Sequence, residues 1–184
     1  MVKEILIYPN KFLRTKTQEV EQLNSEILQL ALDLIDTMRY YDGLGISANQ
    51  IGKIYRLCAI DLDAVKEGKG FLVLANPTIV YKEGIEIDEE GCLSFPELYV
   101  KIQRASFIIV RAKKLNLKTR TFEDFEIQAK GLLARAIQHE IDHLNGILII
   151  DYISPEKRAI IMKDWMDKIK TKQITYEQAS VKEK

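Results

Sequence analysis

The sequence predicts an α+β fold, in which antiparallel β-sheets pack around a central helix and two further helices lie near the N-terminus and the C-terminus. Apolar residues follow helical spacing in three separate segments. Short segments rich in β-branched and aromatic residues lie together between the first and second of these. This order argues against alternating βαβ units. The 184 residues, 47% of them apolar, predict one domain with a polar tail from about residue 171.

The first helix is predicted between Asn24 and Tyr40. Asn24 or Ser25 can cap its start, and Gly43 marks its end. The apolar residues at helical spacing are Ile27, Leu28, Ala31, Leu34, Ile35 and Met38. Residues 43–52 (GLGISANQIG) follow and contain three glycines. Glycine permits unusual backbone conformations and a close approach by another chain, so this segment is interpreted as a non-helical functional loop.

Five strands are predicted between Ile54 and Ala129, and they form an antiparallel meander. Their sequences are IYRLCAID, FLVLANP, TIVYKEGIEI, SFIIVRAKKL and TFEDFEIQA. A second helix is predicted from about Lys130 to Asn145, with an apolar face that packs on the sheet. This face consists of Leu133, Ile137, Ile141 and Leu144.

A third helix is predicted from Pro155 to about Lys170, because Ser154 followed by proline is a favoured helix start. Its residues for docking are Ile160, Ile161, Trp165 and Ile169.

Charge and cysteine content narrow the class of protein. The 27 basic and 27 acidic residues balance, so nothing in the composition indicates binding to nucleic acid or to an anionic membrane. No segment has the length of a transmembrane helix, and residues 1–9 are too short for a signal peptide. Two cysteines, Cys58 and Cys92, are too few for a disulfide framework. We therefore expect a cytoplasmic protein.

The segment QHEIDH, residues 138–143, carries the strongest chemical signal. His139 and His143 lie four residues apart, so they project from one helical face and can bind one metal ion, with Glu140 beside them as a base. They are the only histidines in the chain. A surface helix with two histidines at this spacing by chance is the alternative.

A catalytic metal ion usually has three protein ligands and one open position, so a third ligand is needed. Cys92, in the segment EEGCLSFP, is the best candidate, because Gly91 and Pro96 predict a turn that presents the thiol inward. The alternative for Cys92 is the role of a small buried hydrophobic residue, which most free cysteines have, and we assign that role to Cys58.

Three blocks in order give the chain a specific resemblance to the peptide deformylase family: GLGISANQ at residues 43–50, EGCLS at residues 90–94, and QHEIDH. The similarity extends from residue 1 to about residue 165. It implies a metal hydrolase that removes the formyl group from the N-terminal formylmethionine of nascent polypeptides and releases formate, with metal-bound water as the nucleophile. The family acts in protein biosynthesis, as the first step of N-terminal methionine processing, which fits transient association with the ribosome.

The resemblance also implies a role for each site residue. Fe²⁺ is the expected metal ion, with Zn²⁺, Ni²⁺ or Co²⁺ as substitutes. Cys92, His139 and His143 bind it. Glu140 is the general acid and base, and Gln50 and the Leu93 N–H stabilise the oxyanion. The segments that contain Leu44, Gly45 and Gly91 flank the substrate, and the substrate main chain pairs with them like an added strand.

Two positions depart from the family pattern or lie near its substrate pocket. Ser47 stands where the family usually has alanine, and Arg135 lies near the positions that line the pocket for the methionine side chain. Both bear on substrate preference.

Two other functions are compatible with the histidine motif. A zincin-like endopeptidase would share HExxH but needs a downstream histidine or glutamate as its third ligand. A structural zinc site would need four cysteine or histidine ligands, which this chain can supply only by recruiting Cys58.

Overall fold

Helix α1 forms at Ser25–Tyr40, where the periodicity predicts it. The side-chain oxygen of Asn24 accepts a hydrogen bond from the Ile27 N–H at 2.9 Å, which satisfies one of the free amides of the first turn. The computed structural model of the chain describes residues 1–171. The predicted polar tail therefore lies outside the described residues from residue 172 onward.

Seven strands form two antiparallel sheets. The five-stranded sheet has the order β1-β2-β3-β6-β7, and β4 and β5 form a separate hairpin. The strands are β1 (Gly45–Ser47), β2 (Leu57–Asp61), β3 (Phe71–Glu83), β4 (Glu86–Cys92), β5 (Phe95–Arg104), β6 (Phe107–Asn116) and β7 (Thr121–Lys130). The predicted antiparallel arrangement is confirmed.

The predicted break after Pro77 is wrong, because β3 continues through it. The pairing of β3 with β6 shifts register between Ala75 and Thr78, and Asn76 has a φ of 52° there. A bulge of this kind accommodates a proline, which has no N–H to give to the ladder. The actual break is the turn between β3 and β4.

Strand β5 was not predicted. Its side chains alternate from Leu98 to Arg104, with Leu98, Val100, Ile102 and Arg104 buried and the residues between them exposed. Alternation of this kind is the usual signal of a half-buried strand. The proline at its start and the charged residues on its outer face obscure the signal in the sequence.

Strand β2 of the five-stranded sheet is buried on both faces. Leu57 and Ala59 of β2 belong to the same apolar cluster as α1, whereas Cys58 and Ile60 point to the other face, as the alternation of strand side chains requires. Helix α2 (Gly131–Leu144) packs on this second face through its predicted apolar residues. It is the central helix, because its opposite side contacts the β4-β5 hairpin.

Helix α3 spans Pro155–Lys170, as predicted. Trp165 is buried, its indole N–H donates to Pro96 O at 2.9 Å, and Ile169 packs beside it. The docking role predicted for Ile160 and Ile161 is wrong, because they are 74% and 37% exposed. Met162 and Met166 take that role, since they share the helix face of Trp165.

Within residues 1–171, no helix is long and apolar enough to cross a membrane.

Candidate metal centre

Three predicted ligands converge beside helix α2. His139 and His143 lie one turn apart, and their Nε2 atoms are 3.1 Å from each other. Cys92, at the end of β4, places its Sγ 3.2 Å from His143 Nε2. The three ligand atoms all lie within 4.8 Å of one another, and no other histidine, cysteine or acidic residue among residues 1–171 joins this group.

This donor set fits one divalent transition-metal ion. A thiolate and two imidazoles are ligands that zinc, iron, cobalt and nickel share. With bond lengths of roughly 2.1 and 2.3 Å, neighbouring ligand atoms around a tetrahedral ion lie roughly 3.4 to 3.6 Å apart. The separations of 3.1 and 3.2 Å are close to these values. Three ligands leave one coordination position open, as a catalytic site requires.

Glu90 orients His139. Its Oε1 lies 2.8 Å from His139 Nδ1, so the Nε2 atom points to the metal site. Burial opposes ionisation of Glu90, but hydrogen bonds from Arg104 and His139 outweigh it and lower the pKa of the carboxyl. Burial opposes protonation of His139, but interactions with Cys92 and with the ionised Glu90 outweigh it and raise the pKa of His139. A metal ion that binds there displaces a proton.

Glu90 also anchors two arginines. Arg104 donates to both carboxylate oxygens, at 2.8 and 2.9 Å, and Arg135 donates to Oε2 at 2.7 Å. Arg135 also donates to Ile102 O at 2.9 Å, so it ties α2 to the hairpin that carries Cys92. Sequence reasoning missed Glu90 and Arg104. Once β5 is known, the position of Arg104 on the buried face indicates an acidic partner.

Glu140 is buried beside the three ligands, and its Oε2 has no hydrogen-bond partner within the described part of the chain. Burial raises the pKa of Glu140 to about 7; the charge of His139 opposes this rise, and the charge of Glu90 adds to it. An unsatisfied carboxylate oxygen in a buried site is free to bind a water molecule or a substrate group.

Gln50 presents its amide nitrogen to the same site. It lies on a short 3-10 helix, Ala48–Ile51. The non-helical backbone predicted for residues 43–52 is therefore correct for residues 43–47 and Gly52, and wrong for the four residues of this helix. The Ser47 N–H donates to Gln50 Oε1 at 3.0 Å. Nε2 therefore faces the opposite way, 3.1 Å from Ser94 Oγ and 3.7 Å from Cys92 Sγ.

A pocket of about 410 Å³ opens onto these residues. Its walls come from the glycine loop, the β4-β5 turn and α2. Of the predicted site residues, the pocket is lined by Leu44, Gly45, Gln50, Gly91, Cys92, Leu93, His139 and Glu140. His143 lies behind this surface and is 1% exposed. The volume suits the end of a peptide.

Gly45 leaves room for the Glu140 side chain. A Cβ atom at position 45 would lie 2.7 Å from Glu140 Oε1 and 3.1 Å from its Cγ. We therefore expect Gly45→Ala to displace the carboxylate and lower kcat/KM by about 10- to 100-fold, because small displacements of reacting groups are costly. Steady-state kinetics of formate release from a formyl-Met peptide provide the measurement. Gly43→Ala is the control: its Cβ would lie 2.8 Å from Leu93 Cδ1, at the end of a flexible side chain, and no nearer than 3.5 Å to the backbone oxygen of Gly45. An equal loss in both variants would contradict this account.

Known proteins are similar to this chain in both sequence and fold. The model of the polypeptide deformylase family matches residues 2–159. The chain belongs to the polypeptide deformylase family. The peptide deformylase of Thermodesulfovibrio yellowstonii is 40% identical over 171 residues, which cover 93% of this chain and 98% of that protein.

Solved peptide deformylases have the same fold. The crystal structure from Legionella pneumophila has a TM-score of 0.84 and 39% identity, and the match covers 94% of this chain and 98% of that one. The Ehrlichia chaffeensis enzyme in complex with actinonin has a TM-score of 0.81 and 32% identity, with 95% and 99% covered. The predicted resemblance and α+β class are confirmed.

The family match and the geometry of the site argue against the two alternatives, a zincin-like endopeptidase and a structural zinc site. The zincin-like alternative needs a downstream ligand, but the third ligand atom in the cluster belongs to Cys92, upstream of α2. The structural-zinc alternative needs Cys58, which is buried in β2 and lies outside the cluster. Burial raises the pKa of the Cys58 thiol, so this side chain behaves as a small hydrophobic group.

Proposed function

We propose that the chain hydrolyses the N-terminal formyl group of formylmethionyl polypeptides at the Cys92, His139 and His143 site. The observation that supports this most is the convergence of three metal ligands, a buried carboxylate and an amide donor on one pocket. When bound, a divalent ion supplies Lewis acidity and lowers the pKa of water. The side chains and main-chain groups of the protein supply the rest of the chemistry.

Glu140 is the proposed general base and acid. It directly follows His139 and lies three residues before His143. Its unpaired Oε2 can accept the proton of the attacking water. The water oxygen forms a bond to the formyl carbon, and the carbon–nitrogen bond then breaks. Glu140 returns the proton to the amine nitrogen, so the products are formate and a free N-terminus.

Gln50 and the Leu93 N–H are the proposed oxyanion donors. Negative charge develops on the formyl oxygen as the tetrahedral intermediate forms, and fixed donors stabilise that charge. The Gln50 amide is fixed, because Ser47 holds its oxygen and Ser94 its nitrogen. Leu93 lies in the turn directly after Cys92 and lines the pocket.

The edges of the pocket are the proposed binding site for the peptide main chain. Leu44, directly before β1, and Gly45, the first residue of β1, lie at one side of the pocket. Gly91, in β4, lies at the other side. Strand addition uses main-chain hydrogen bonds, so it tolerates varied downstream sequences. This fits an enzyme whose substrates are the many newly synthesised proteins of a cell with bacterial-type translation.

One thiolate and two imidazoles can bind zinc, iron, cobalt or nickel, so the ligand types do not select one of these ions. Fe²⁺ is the metal ion that we propose, with Zn²⁺, Ni²⁺ or Co²⁺ as substitutes. The cytoplasm is the proposed location, since formylmethionyl chains are made there, and transient contact with the ribosome fits the same substrate.

Formate release from formyl-Met-Ala-Ser tests the proposal, with acetyl-Met-Ala-Ser as the control substrate. We expect metal-dependent formate release and an unmodified peptide backbone. Cleavage within an unformylated peptide would indicate an endopeptidase. A metal-loaded protein that releases no formate would contradict the proposed function.

Gln50→Leu keeps approximate side-chain size and deletes the amide donor. We expect a loss of roughly 2 to 4 kcal/mol in transition-state stabilisation, which is about 30- to 1,000-fold in kcat. KM and metal content should change little, because the charge that Gln50 stabilises is largest in the intermediate. Steady-state kinetics with metal analysis provide the measurement. A metal-replete variant with the wild-type kcat would remove Gln50 from the mechanism.

A further inference from the structure

The two histidine ligands are held in different ways. His139 has Glu90 at its Nδ1, which fixes the ring as acceptors do in most metal-binding histidines. The Nδ1 atom of His143 is buried and has no hydrogen-bond partner among residues 1–171. The position of the His143 ring therefore depends on its packing and on how firmly its main chain is held.

Asn49 holds that main chain from the glycine loop. It is wholly buried, and its Nδ2 donates to the backbone oxygen of His143 and lies 3.4 Å from Thr15 O. Both partners are oxygens, so the amide nitrogen must face them. The His143 oxygen also accepts from the backbone N–H groups of its neighbours Asn145 and Gly146, the latter at 3.0 Å, so Asn49 is the partner that reaches it from a distant part of the chain.

Ser47 fixes the other end of the Asn49 amide. Its hydroxyl oxygen lies 2.9 Å from Asn49 Oδ1 and 3.2 Å from Gln50 Oε1, and the residue is wholly buried. Alanine, which is usual at this position in the family, would leave Asn49 Oδ1 without this donor, and an unsatisfied buried acceptor is unfavourable. Ser47 and Asn49 thus form one hydrogen-bonded unit between Gln50 and His143.

We propose that Asn49, oriented by Ser47, is a positioning residue for His143 and couples this ligand to the loop that carries Gln50. The inference rests on the proposed metal site. Asn49 has no direct contact with the reacting atoms in this scheme; it acts through the His143 main chain. Outer partners of metal ligands affect metal affinity by about 10- to 100-fold, so metal affinity is the property that Asn49 should control.

Asn49→Leu tests this role, because leucine has a similar volume and no amide. Thr17→Val is the matched control: the Thr17 hydroxyl donates to the adjacent carbonyl, Leu144 O, at 2.8 Å in a buried position. Both variants lose one side-chain hydrogen bond to the same end of α2. The dissociation constants for Zn²⁺ and Co²⁺ are measured by chelator competition, and the visible absorption of the cobalt form reports ligand geometry. Circular dichroism checks folding.

Asn49→Leu is expected to weaken the binding of both ions by about 10-fold or more and to change the cobalt spectrum. Thr17→Val is expected to lower thermal stability and leave both metal readouts unchanged. If Asn49→Leu does not fold, Asn49→Asp keeps the shape and the acceptor for Ser47, and the same loss of affinity is expected. Wild-type affinity and spectrum in a folded Asn49 variant, or an equal loss in Thr17→Val, would overturn the inference. A wild-type protein that binds neither ion would instead refute the proposed metal site.

Discussion

Glu140→Ala is expected to retain the metal ion and to lose at least about two orders of magnitude in kcat. Cys92, His139 and His143 stay in place, so the ligand set is complete. The buried carboxylate that would take and return the proton is absent. Formate release at saturating formyl-Met peptide, measured on protein of known metal content, gives the effect.

Glu97→Ala is the control for this experiment. Glu97 also lines the pocket, but it is exposed, so loss of its carboxylate should leave most of the rate. A metal-replete Glu140→Ala protein with near wild-type turnover would assign proton transfer to another group. A variant that loses the metal ion would show that Glu140 supports the ligands instead.

Cys92→Ser is expected to lose most of its bound metal ion and with it the activity. A serine hydroxyl is a far weaker ligand than a thiolate for transition-metal ions, and His139 with His143 would supply only two protein donors. Elemental analysis after dialysis and formate release provide two independent readouts.

Cys58→Ser is the control, because it shows whether metal loss is specific to Cys92 or follows from replacing either cysteine by serine. Cys58 is buried in β2 among apolar side chains, so its substitution should lower stability and leave metal content unchanged. Loss of metal from Cys58→Ser together with its retention in Cys92→Ser would reverse the assignment of the two cysteines.

The helices and the metal ligands could be predicted because their signals are local. Periodic apolar residues determine α1 and α2, and the four-residue spacing places His139 and His143 on one face. Strand boundaries depend on partners far along the chain. Pro77 resembles a strand end in sequence, but a bulge against β6 accommodates it.

Hydrogen-bonded support of the site could not be predicted, because its partners are distant in sequence. Glu90 meets Arg104 and Arg135, and Asn49 meets His143 across 94 positions of sequence separation. A glutamate such as Glu90 or an asparagine such as Asn49 does not indicate which residue it will contact before the fold is known. The docking residues of α3 were mistaken for a related reason: its apolar residues are distributed around the helix, and only the position of the β4-β5 hairpin selects the face of Trp165.

Titration of the chain with a divalent ion during formate release tests the central claim most directly. The purified protein is stripped with a chelator, and Zn²⁺, Co²⁺ or anaerobic Fe²⁺ is added in steps while formate from formyl-Met-Ala-Ser is measured. We predict that activity rises with bound metal and stops rising at one ion per chain, as one Cys92, His139 and His143 site requires. Full activity in the stripped protein, or one tightly bound ion with no formate release for any of the three metals, would contradict the account.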